Sequence, residues 1–502
     1  MRRKIPIFYN ALMLTGVNLL LRLVSTSFQV FLSGRIGAAG IGLLQLVLSV
    51  GAMALTFAMA GVRTATMYLT AEELGKGQTG NITWVLSGCL AYSLIFSATA
   101  GILLLTGARW IAAHWIANAQ AVGAIRLLAV FLPVSCFTGV MTGYFTAAGR
   151  VGTLAIVEVT EQLVTMLTTV LALYFWAGEN VARACQAVIL GSGAGSLLTL
   201  SCLVLLRIRE CTGESPAIPV ARRLRRTALP LAVADDMKVG INTVENLMVP
   251  KRLALYTQSA LAQFGMVCGM VFPVLMFPAA IVYALADLLI PELARCNAAG
   301  SRKRIDYLLR RSLRLALLYG AACGGLLFLL AGDLCRNLYG SAGAGEYLRL
   351  FAWLTPMLYC DAIIDAANKG LGQQKISVRI NIFTSILDVL GLFILLPYYG
   401  MLGYYISFVI SHGVNAWLSL RLLRRVTGLR MGFAMPIFTL GCMAFAVGFA
   451  GLATLWWLKI AVFGTVFLLT LVLLGILGKC DWDWLISLTG FQKKYEKMKN
   501  SI

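Results

Sequence analysis

Fourteen apolar segments divide the chain, and their length constrains its fold more than any other feature. A helix needs about 20 mostly apolar residues to cross the hydrocarbon core of a bilayer, and each segment is about that long or longer. The segments lie at about residues 7–32, 39–62, 82–106, 124–147, 151–176, 181–206, 227–249, 259–291, 305–331, 347–367, 377–397, 400–423, 432–455 and 458–478. In a chain of 502 residues, 59% hydrophobic and 13% charged, they predict an all-α integral membrane protein with 14 transmembrane helices.

Positive charge is distributed unevenly between alternate loops. If the N-terminal MRRK is cytoplasmic, the loops predicted inside contain 30 lysines and arginines, and those predicted outside contain nine. Cytoplasmic loops of membrane proteins are enriched in these residues, so the split favours a multi-pass protein of the cell membrane with both termini cytoplasmic. The net charge of +21 then reflects topology and contact with anionic membrane lipids, and no nucleic-acid partner is expected.

An internal repeat relates two distant parts of the chain. IRLLAVFLPVSCFTGVMTGYFTAAGRVG, from residue 125, aligns without a gap with LRLFAWLTPMLYCDAIIDAANKGLGQQK, from residue 348. The matches include Pro133 with Pro356 and Gly149 with Gly372. Because six predicted helices separate the copies, both cross the membrane in the same direction, as in a parallel repeat. We predict a six-helix N-lobe (1–206), a basic cytoplasmic linker (207–226), a six-helix C-lobe (227–431), and a terminal helix pair with a basic cytoplasmic tail (432–502).

Two of the apolar segments contain a stripe of polar residues at helical spacing. In the first predicted helix the stripe comprises Thr15, Asn18, Arg22, Ser25 and Gln29, and in the seventh it comprises Asp235, Lys238, Asn242 and Glu245. Arg22 is the only charged residue between residues 5 and 34. A charge at bilayer depth costs from about 2.5 to over 10 kcal/mol when it faces lipid. Both stripes are therefore expected to line an interior cavity between the lobes.

Other polar residues within the apolar segments favour the same interior. They are Gln45, Ser49, Thr56, Arg63, Glu158, Glu161, Asp361, Asp365, Asn368 and Asp388. An alternative is that some of these groups, and pairs such as Asp235 with Lys238, simply neutralise each other inside the membrane. For any single acid this structural role remains open.

No pattern in the sequence indicates an enzyme. The two histidines, His114 and His412, are far apart and have no metal-ligand spacing. The 12 cysteines include no C-x-x-C pair, so neither disulfides nor a metal site are expected. Asp481 and Asp483 in CDWDWL are flanked by tryptophans and fit an interfacial belt better than a metal site. Without a G-x-x-x-x-G-K-[ST] loop to bind ATP, no cofactor is expected, and an ion gradient or the membrane potential is the expected driving force.

Longer motifs resemble those of a transporter superfamily. After Arg22 come GRIGAAGIGLLQLV and AGVRTATMYLTAEELGKG around the second helix, NTVENLMVPKRL in the seventh and FPAAIVYALADLLIPELA in the eighth. With two lobes and a terminal helix pair, these motifs resemble the polysaccharide-transport, stage V sporulation protein B-like branch of the multidrug, oligosaccharidyl-lipid and polysaccharide (MOP) exporter superfamily, which is similar to the lipid II flippases. The resemblance implies a flippase of cell-wall synthesis or sporulation. Its substrate would be a lipid-linked oligosaccharide or peptidoglycan precursor, moved to the outer leaflet by rocking of the lobes, with Arg22 and Arg63 as cavity arginines.

The charges of the predicted cavity leave two transport functions open. Arginine suits the diphosphate of a lipid-linked sugar, because its planar donors chelate phosphate oxygens and it stays charged when buried. The alternative, a proton- or sodium-coupled multidrug antiporter, would use acids. The predicted substrate-binding residues are Arg22, Arg63, Asn18, Ser25, Gln29, Lys238, Asn242 and Glu245. The candidates for binding a coupling cation are Asp235, Asp236, Asp361 and Asp365.

Overall fold

The computed structural model describes residues 7–76, 78, 80–178, 180–208, 220–428 and 434–477, and within these ranges the chain is helical with no strand. Its helices are α1 (Ile7–Met59), α2 (Val62–Gly75), α3 (Asn81–Trp110), α4 (Val122–Ala147), α5 (Val151–Ala172), α6 (Val181–Ile208), α7 (Val220–Leu253), α8 (Ala260–Met266), α9 (Phe272–Met276), α10 (Ala279–Ala298), α11 (Arg302–Tyr339), α12 (Ala342–Ala352), α13 (Thr355–Gly370), α14 (Gln374–Thr427), α15 (Ala434–Ala450) and α16 (Trp456–Leu473). Single π-helical turns extend α3, α5 and α8 (Ile111–Ile116, Leu173–Ala177 and Val267–Val271).

Eight helices in these ranges are long and apolar enough to cross a membrane, or up to ten if each of two bent helix pairs forms one span. The two longest helices, α1 and α14, change direction at Gly37 (φ 71°, ψ 173°) and Gly400 (φ 55°, ψ −137°). Glycine adopts these angles readily because it has no Cβ atom, so a helical run can turn without a loop. The all-α class is confirmed for the described residues. The count of 14 helices stays a prediction.

The first of two compact units comprises residues 1–284, 338–340 and 375–415. Within it, α1 beyond Gly37 packs closely against α8. A side chain on Gly265 would clash with the carbonyl oxygen of Ala38, and one on Gly42 would clash with the carbonyl oxygen of Leu261. These glycines let the two backbones approach, as small residues commonly do between membrane helices.

The second compact unit comprises residues 285–337, 341–374 and 416–502. Its core forms where α15 and α16 pack with α11. Met443, Phe463 and Phe467 are buried there, and the two phenylalanine rings stack with their centroids 5.4 Å apart. Gly325 of α11 lies against the ring of Phe463, where any side chain would clash. The two compact units do not test the predicted division into two six-helix lobes, which stays a prediction.

The two aligned repeat segments end in the same backbone conformation. Gly149 (φ 71°) follows α4 and Gly372 (φ 77°) follows α13. In each case the next residue donates its N–H to the carbonyl oxygen five residues back, at 3.0 and 2.8 Å respectively, as in a Schellman motif. Upstream the segments differ, since α4 continues through Pro133 whereas Pro356 begins α13 after a bend of 57° from α12. The larger repeat arrangement stays a prediction.

An ion cluster joins the end of α2 to the first turn of α7. Arg223 donates from Nη2 to Glu72 Oε2 and from Nη1 to Glu73 Oε1, both at 2.8 Å. The side chain of Glu73 is 1% exposed, and its second oxygen accepts a hydrogen bond from Asn81 Nδ2 at 2.8 Å. Lys76 adds a contact of 2.5 Å to Glu72. Because an unpaired buried charge is strongly destabilising, the forked contact of Arg223 stabilises this junction.

We expect Arg223→Leu to lower the free energy of unfolding by about 1–3 kcal/mol, because Glu73 would stay buried but lose a charged donor. Arg223→Lys should lower the free energy of unfolding by a smaller amount, because an ammonium group cannot reproduce the two directed N–H contacts with Glu72 and Glu73. The apparent melting temperature of purified protein in detergent measures both effects. Lys76→Leu is the matched control, because Lys76 is half exposed and pairs with Glu72 alone. Equal melting temperatures for Arg223→Leu and Lys76→Leu would contradict this role.

Candidate functional site

Arg22 lies in the first half of α1, with its guanidinium group over an aromatic ring. Its Cζ atom is 5.3 Å from the centroid of the Tyr283 ring in α10, and Arg22 is half-buried. Its side chain forms no ion pair with a carboxylate in the part of the chain that the structure describes. A salt bridge from Arg22 to Asp235 or Glu245 would have explained the charge structurally, and neither is present. Arg22 therefore keeps a positive charge that no described acid neutralises.

The other members of the α1 stripe have different environments. Gln29 Nε2 donates to the carbonyl oxygen of Gly269 at 3.1 Å, which ties α1 to the π-helical turn after α8. Ser25 is exposed. Asn18 lies in α1, but its side chain, like that of Thr15, is outside the described residues. Gln29 thus has a packing role, whereas Arg22 and Ser25 have no side-chain hydrogen bond among the described residues.

The stripe on α7 is mostly exposed. Asp235, Lys238 and Asn242 are exposed, and Glu245 is half-buried. Although Asp235 and Lys238 are one turn apart, these two described side chains form no ion pair. Asp236 is half-buried, and its Oδ1 atom has no hydrogen-bond partner within the described ranges. The structural alternative of a neutralised pair on this helix is therefore not observed.

Hydrogen bonds connect α7 to the second half of α1. Thr243 Oγ1 donates to the carbonyl oxygen of Ser49 at 3.1 Å, and Asn246 Nδ2 donates to Ser49 Oγ at 3.0 Å. Ser49 Oγ also donates to the carbonyl oxygen of Gln45 at 2.8 Å. Ser49, which the sequence predicts to be an interior residue, is thus the junction between the two helices.

Glu245 and Asp388 form an acidic pair that sequence spacing did not reveal. The two carboxylates, from α7 and α14, are close enough to interact electrostatically, and Asp388 is buried. Ser407 Oγ donates to Asp388 Oδ1 at 2.6 Å. Tyr404, hydrogen-bonded to Cys268, lies beside the pair. The cluster brings together carboxylate and hydroxyl oxygens, which are the ligands that hard cations prefer.

A second polar cluster lies on α2, α5 and α6. Arg63 is exposed and interacts with half-buried Glu158. Glu161 accepts hydrogen bonds from Thr199 Oγ1 at 2.9 Å and from Ser196 Oγ at 3.4 Å. Arg63 therefore lies within electrostatic range of an acid, but these two described side chains form no ion pair.

In the second unit, Asp365 pairs with Lys369 one turn further along α13, at 2.6 Å. Asp361 is half-buried beside Cys360. Asn368 is buried and donates to the carbonyl oxygen of Ser419 at 3.2 Å. Asp365 and Asn368 thus make contacts that suit a structural role. Across the described residues, no group of three or more His, Cys, Asp or Glu side chains is arranged to hold a metal ion.

Comparison with known sequences gives a match to one family profile and similarity to two sporulation proteins. The MatE family profile matches residues 237–394. Stage V sporulation protein B of Bacillus subtilis (strain 168) is 22% identical over 411 residues, which cover 78% of each chain. Sporulation protein YkvU of the same organism is 23% identical over 274 residues, which cover 53% of this chain and 61% of that relative.

Solved structures match over most of the chain. An inward-facing multidrug-resistance MATE transporter of the MOP superfamily superposes with a TM-score of 0.67 at 16% identity, covering 81% of this chain and 95% of that one. The lipid II flippase MurJ, in an inward closed conformation, superposes with a TM-score of 0.66 at 12% identity, covering 91% of this chain and 98% of that one. The chain has the same fold as these two proteins. The resemblance predicted from the sequence is confirmed, including its stage V sporulation protein B-like character.

The long apolar helices and these similarities indicate a multi-span membrane protein, and the solved structures that it resembles are a transporter and a flippase. In this fold the described site residues fall into separate groups. Arg22 lies with Tyr283, Glu245 lies with Asp388, and Arg63 lies with Glu158. Tyr283 was missed because it lies in an apolar stretch without polar periodicity.

Proposed function

We propose that the protein flips a lipid-linked oligosaccharide or peptidoglycan precursor across the cytoplasmic membrane by alternating access, and that Arg22 binds the diphosphate of this substrate. One observation supports this most strongly. Arg22 is the only charged residue between residues 5 and 34, and no described carboxylate pairs with it. A charge at bilayer depth is costly and commonly has a function. Binding of a diphosphate that must cross the bilayer would account for the charge of Arg22.

The chemistry of the two partners is complementary. A diphosphate presents several charged oxygens, and a guanidinium group binds two of them at once through parallel N–H donors. Its charge persists on burial, whereas lysine readily loses its proton. The similarity to MurJ, a lipid II flippase, and to Stage V sporulation protein B supports the same substrate class.

We propose further that Glu245 and Asp388 bind the coupling cation. Their carboxylates interact, and the hydroxyl groups of Ser407 and Tyr404 lie beside them. Binding of a proton or a sodium ion would relieve the repulsion between buried Asp388 and half-buried Glu245. Two of the four acids first predicted for this role are less suited to it, since Asp235 is exposed and Asp365 is already paired.

The alternative function is cation-coupled export of drugs. The acids at Glu245 and Asp388 and the similarity to multidrug MATE transporters support it. In that case Arg22 would repel a cationic substrate rather than bind it. Under either function we propose that both termini and residues 207–226 are cytoplasmic, and that the predicted N-lobe and C-lobe rock about a shared cavity.

Substrate binding by the purified protein separates the two functions. We expect lipid II or undecaprenyl-diphosphate-linked sugars to bind at least about tenfold more tightly than a cationic dye such as rhodamine 6G, because a bidentate arginine contact is worth about 1.5–3 kcal/mol. Competition against a fluorescent lipid-linked sugar in detergent measures this ratio. Tighter binding of the dye would favour the drug antiporter.

A further inference from the structure

The ring of Tyr283 makes the one ring, ion-pair or hydrogen-bond contact of the Arg22 side chain within the described residues. Tyr283 is 41% exposed. We infer that Tyr283 is a positioning residue: its ring holds Arg22 so that the forked N–H donors face a diphosphate, and it thereby gives the site a preference for lipid diphosphates over lipid monophosphates. This inference rests on the proposed function.

An aromatic ring is a suitable partner for an arginine that binds an anionic ligand. A carboxylate would neutralise the guanidinium group and occupy two of its five N–H donors. A ring attracts the cation through its quadrupole and uses none of those donors. Arg22 over Tyr283 is therefore held in place with its charge and its hydrogen-bonding capacity intact, which suits a site that must bind several phosphate oxygens at once.

The backbone on both sides of this contact is held in place. Gln29 lies two turns beyond Arg22 on the same face of α1, and its hydrogen bond to Gly269 ties this half of the helix to the turn after α8. Tyr283 lies just beyond the first turn of α10, which begins after a break at Phe277 and Pro278 where the span bends by 62°. The broken span therefore determines where the Tyr283 ring meets α1. A straight helix would direct residue 283 elsewhere.

Binding of two defined lipids tests the inference. Undecaprenyl diphosphate and undecaprenyl monophosphate are titrated into purified full-length protein, as wild type, Tyr283→Leu and Tyr283→Phe. We expect Tyr283→Leu to weaken diphosphate binding about tenfold, the scale of a partly desolvated cation–π contact, with a smaller effect on the monophosphate. Tyr283→Phe keeps the ring and should keep the wild-type ratio. Tyr174→Leu, at another exposed tyrosine, should change neither affinity.

Two results would overturn the positioning role. One is an unchanged ratio of the two affinities in Tyr283→Leu, and the other is an equal loss for both lipids, which indicates a structural effect. If Tyr283→Leu does not yield folded protein, Tyr283→Gln provides the same comparison. Arg22→Gln separates this inference from the proposed function. Wild-type diphosphate binding in Arg22→Gln defeats both, whereas loss in Arg22→Gln with a wild-type ratio in Tyr283→Leu defeats the role of Tyr283 alone.

Discussion

Arg22→Gln is expected to abolish flipping of a fluorescent lipid-linked sugar in reconstituted vesicles, while the protein still inserts and folds. Glutamine retains polarity but loses the charge and the forked donors, and a charged bidentate contact corresponds to about 10- to 100-fold in binding. Arg22→Lys should retain part of the activity, because the ammonium keeps the charge without the fork. Initial flipping rates at matched protein levels measure all three proteins.

Arg35 provides the matched control, since it is an exposed arginine on the same helix with no ion pair within the described residues. Arg35→Gln removes the same charge and should flip lipid at the wild-type rate. Full activity of Arg22→Gln would refute diphosphate binding by this residue. So would recovery of activity in Arg22→Gln combined with Glu245→Gln or Asp235→Asn, because that outcome indicates a salt bridge formed in another state of the cycle.

Replacing both acids of the Glu245 and Asp388 pair is expected to uncouple the protein from its driving ion. Glu245→Gln with Asp388→Asn preserves the shape and polarity of the cluster but removes both negative charges that a cation would bind. Flipping driven by an imposed sodium or proton gradient should then fall to the rate measured without a gradient. Each single variant should respond more weakly to the gradient than wild type.

The control for this experiment is Asp235→Asn, which neutralises an exposed acid on the same helix as Glu245. It should leave the response to the gradient unchanged. If Asp235→Asn removes the response and the double variant keeps it, the coupling group is Asp235, one of the four acids that the sequence predicted for this role. A wild-type response in both would exclude Asp235, Glu245 and Asp388 as coupling groups.

Apolar length and helix-ending glycines are local properties of the sequence, and they were predictable. The long apolar segments correspond to helices because a spanning chain must satisfy its own backbone hydrogen bonds. Gly149 and Gly372, aligned from sequence alone, end their helices with the same left-handed conformation. The aligned prolines do not behave alike, because Pro133 is tolerated inside one helix whereas Pro356 begins another. Proline restricts the backbone locally, but neighbouring helices decide whether a helix continues through it.

The composition of the site was harder to foresee. Helical spacing identified Arg22 and Glu245, because one stripe is defined within one helix. The partners of these residues, Tyr283 and Asp388, come from α10 and α14 and depend on how helices pack. Periodicity within a segment contains no information about such contacts. The internal repeat also gave no indication of these contacts, because its two aligned segments contain neither Tyr283 nor Asp388.

The ion cluster at Arg223 has a consequence for biosynthesis. Glu73 pairs with Arg223, which lies 150 positions later in the chain. At about 5–20 residues per second, the ribosome needs roughly 8 to 30 s to synthesise that interval. During this time the carboxylate has no access to Arg223, so it must stay hydrated or bind a temporary partner. The end of α2 therefore lacks its ion pairs with Arg223 until α7 begins to be synthesised. This junction is completed only after the start of α7 has been synthesised, so the order of translation determines when α2 and α7 are joined.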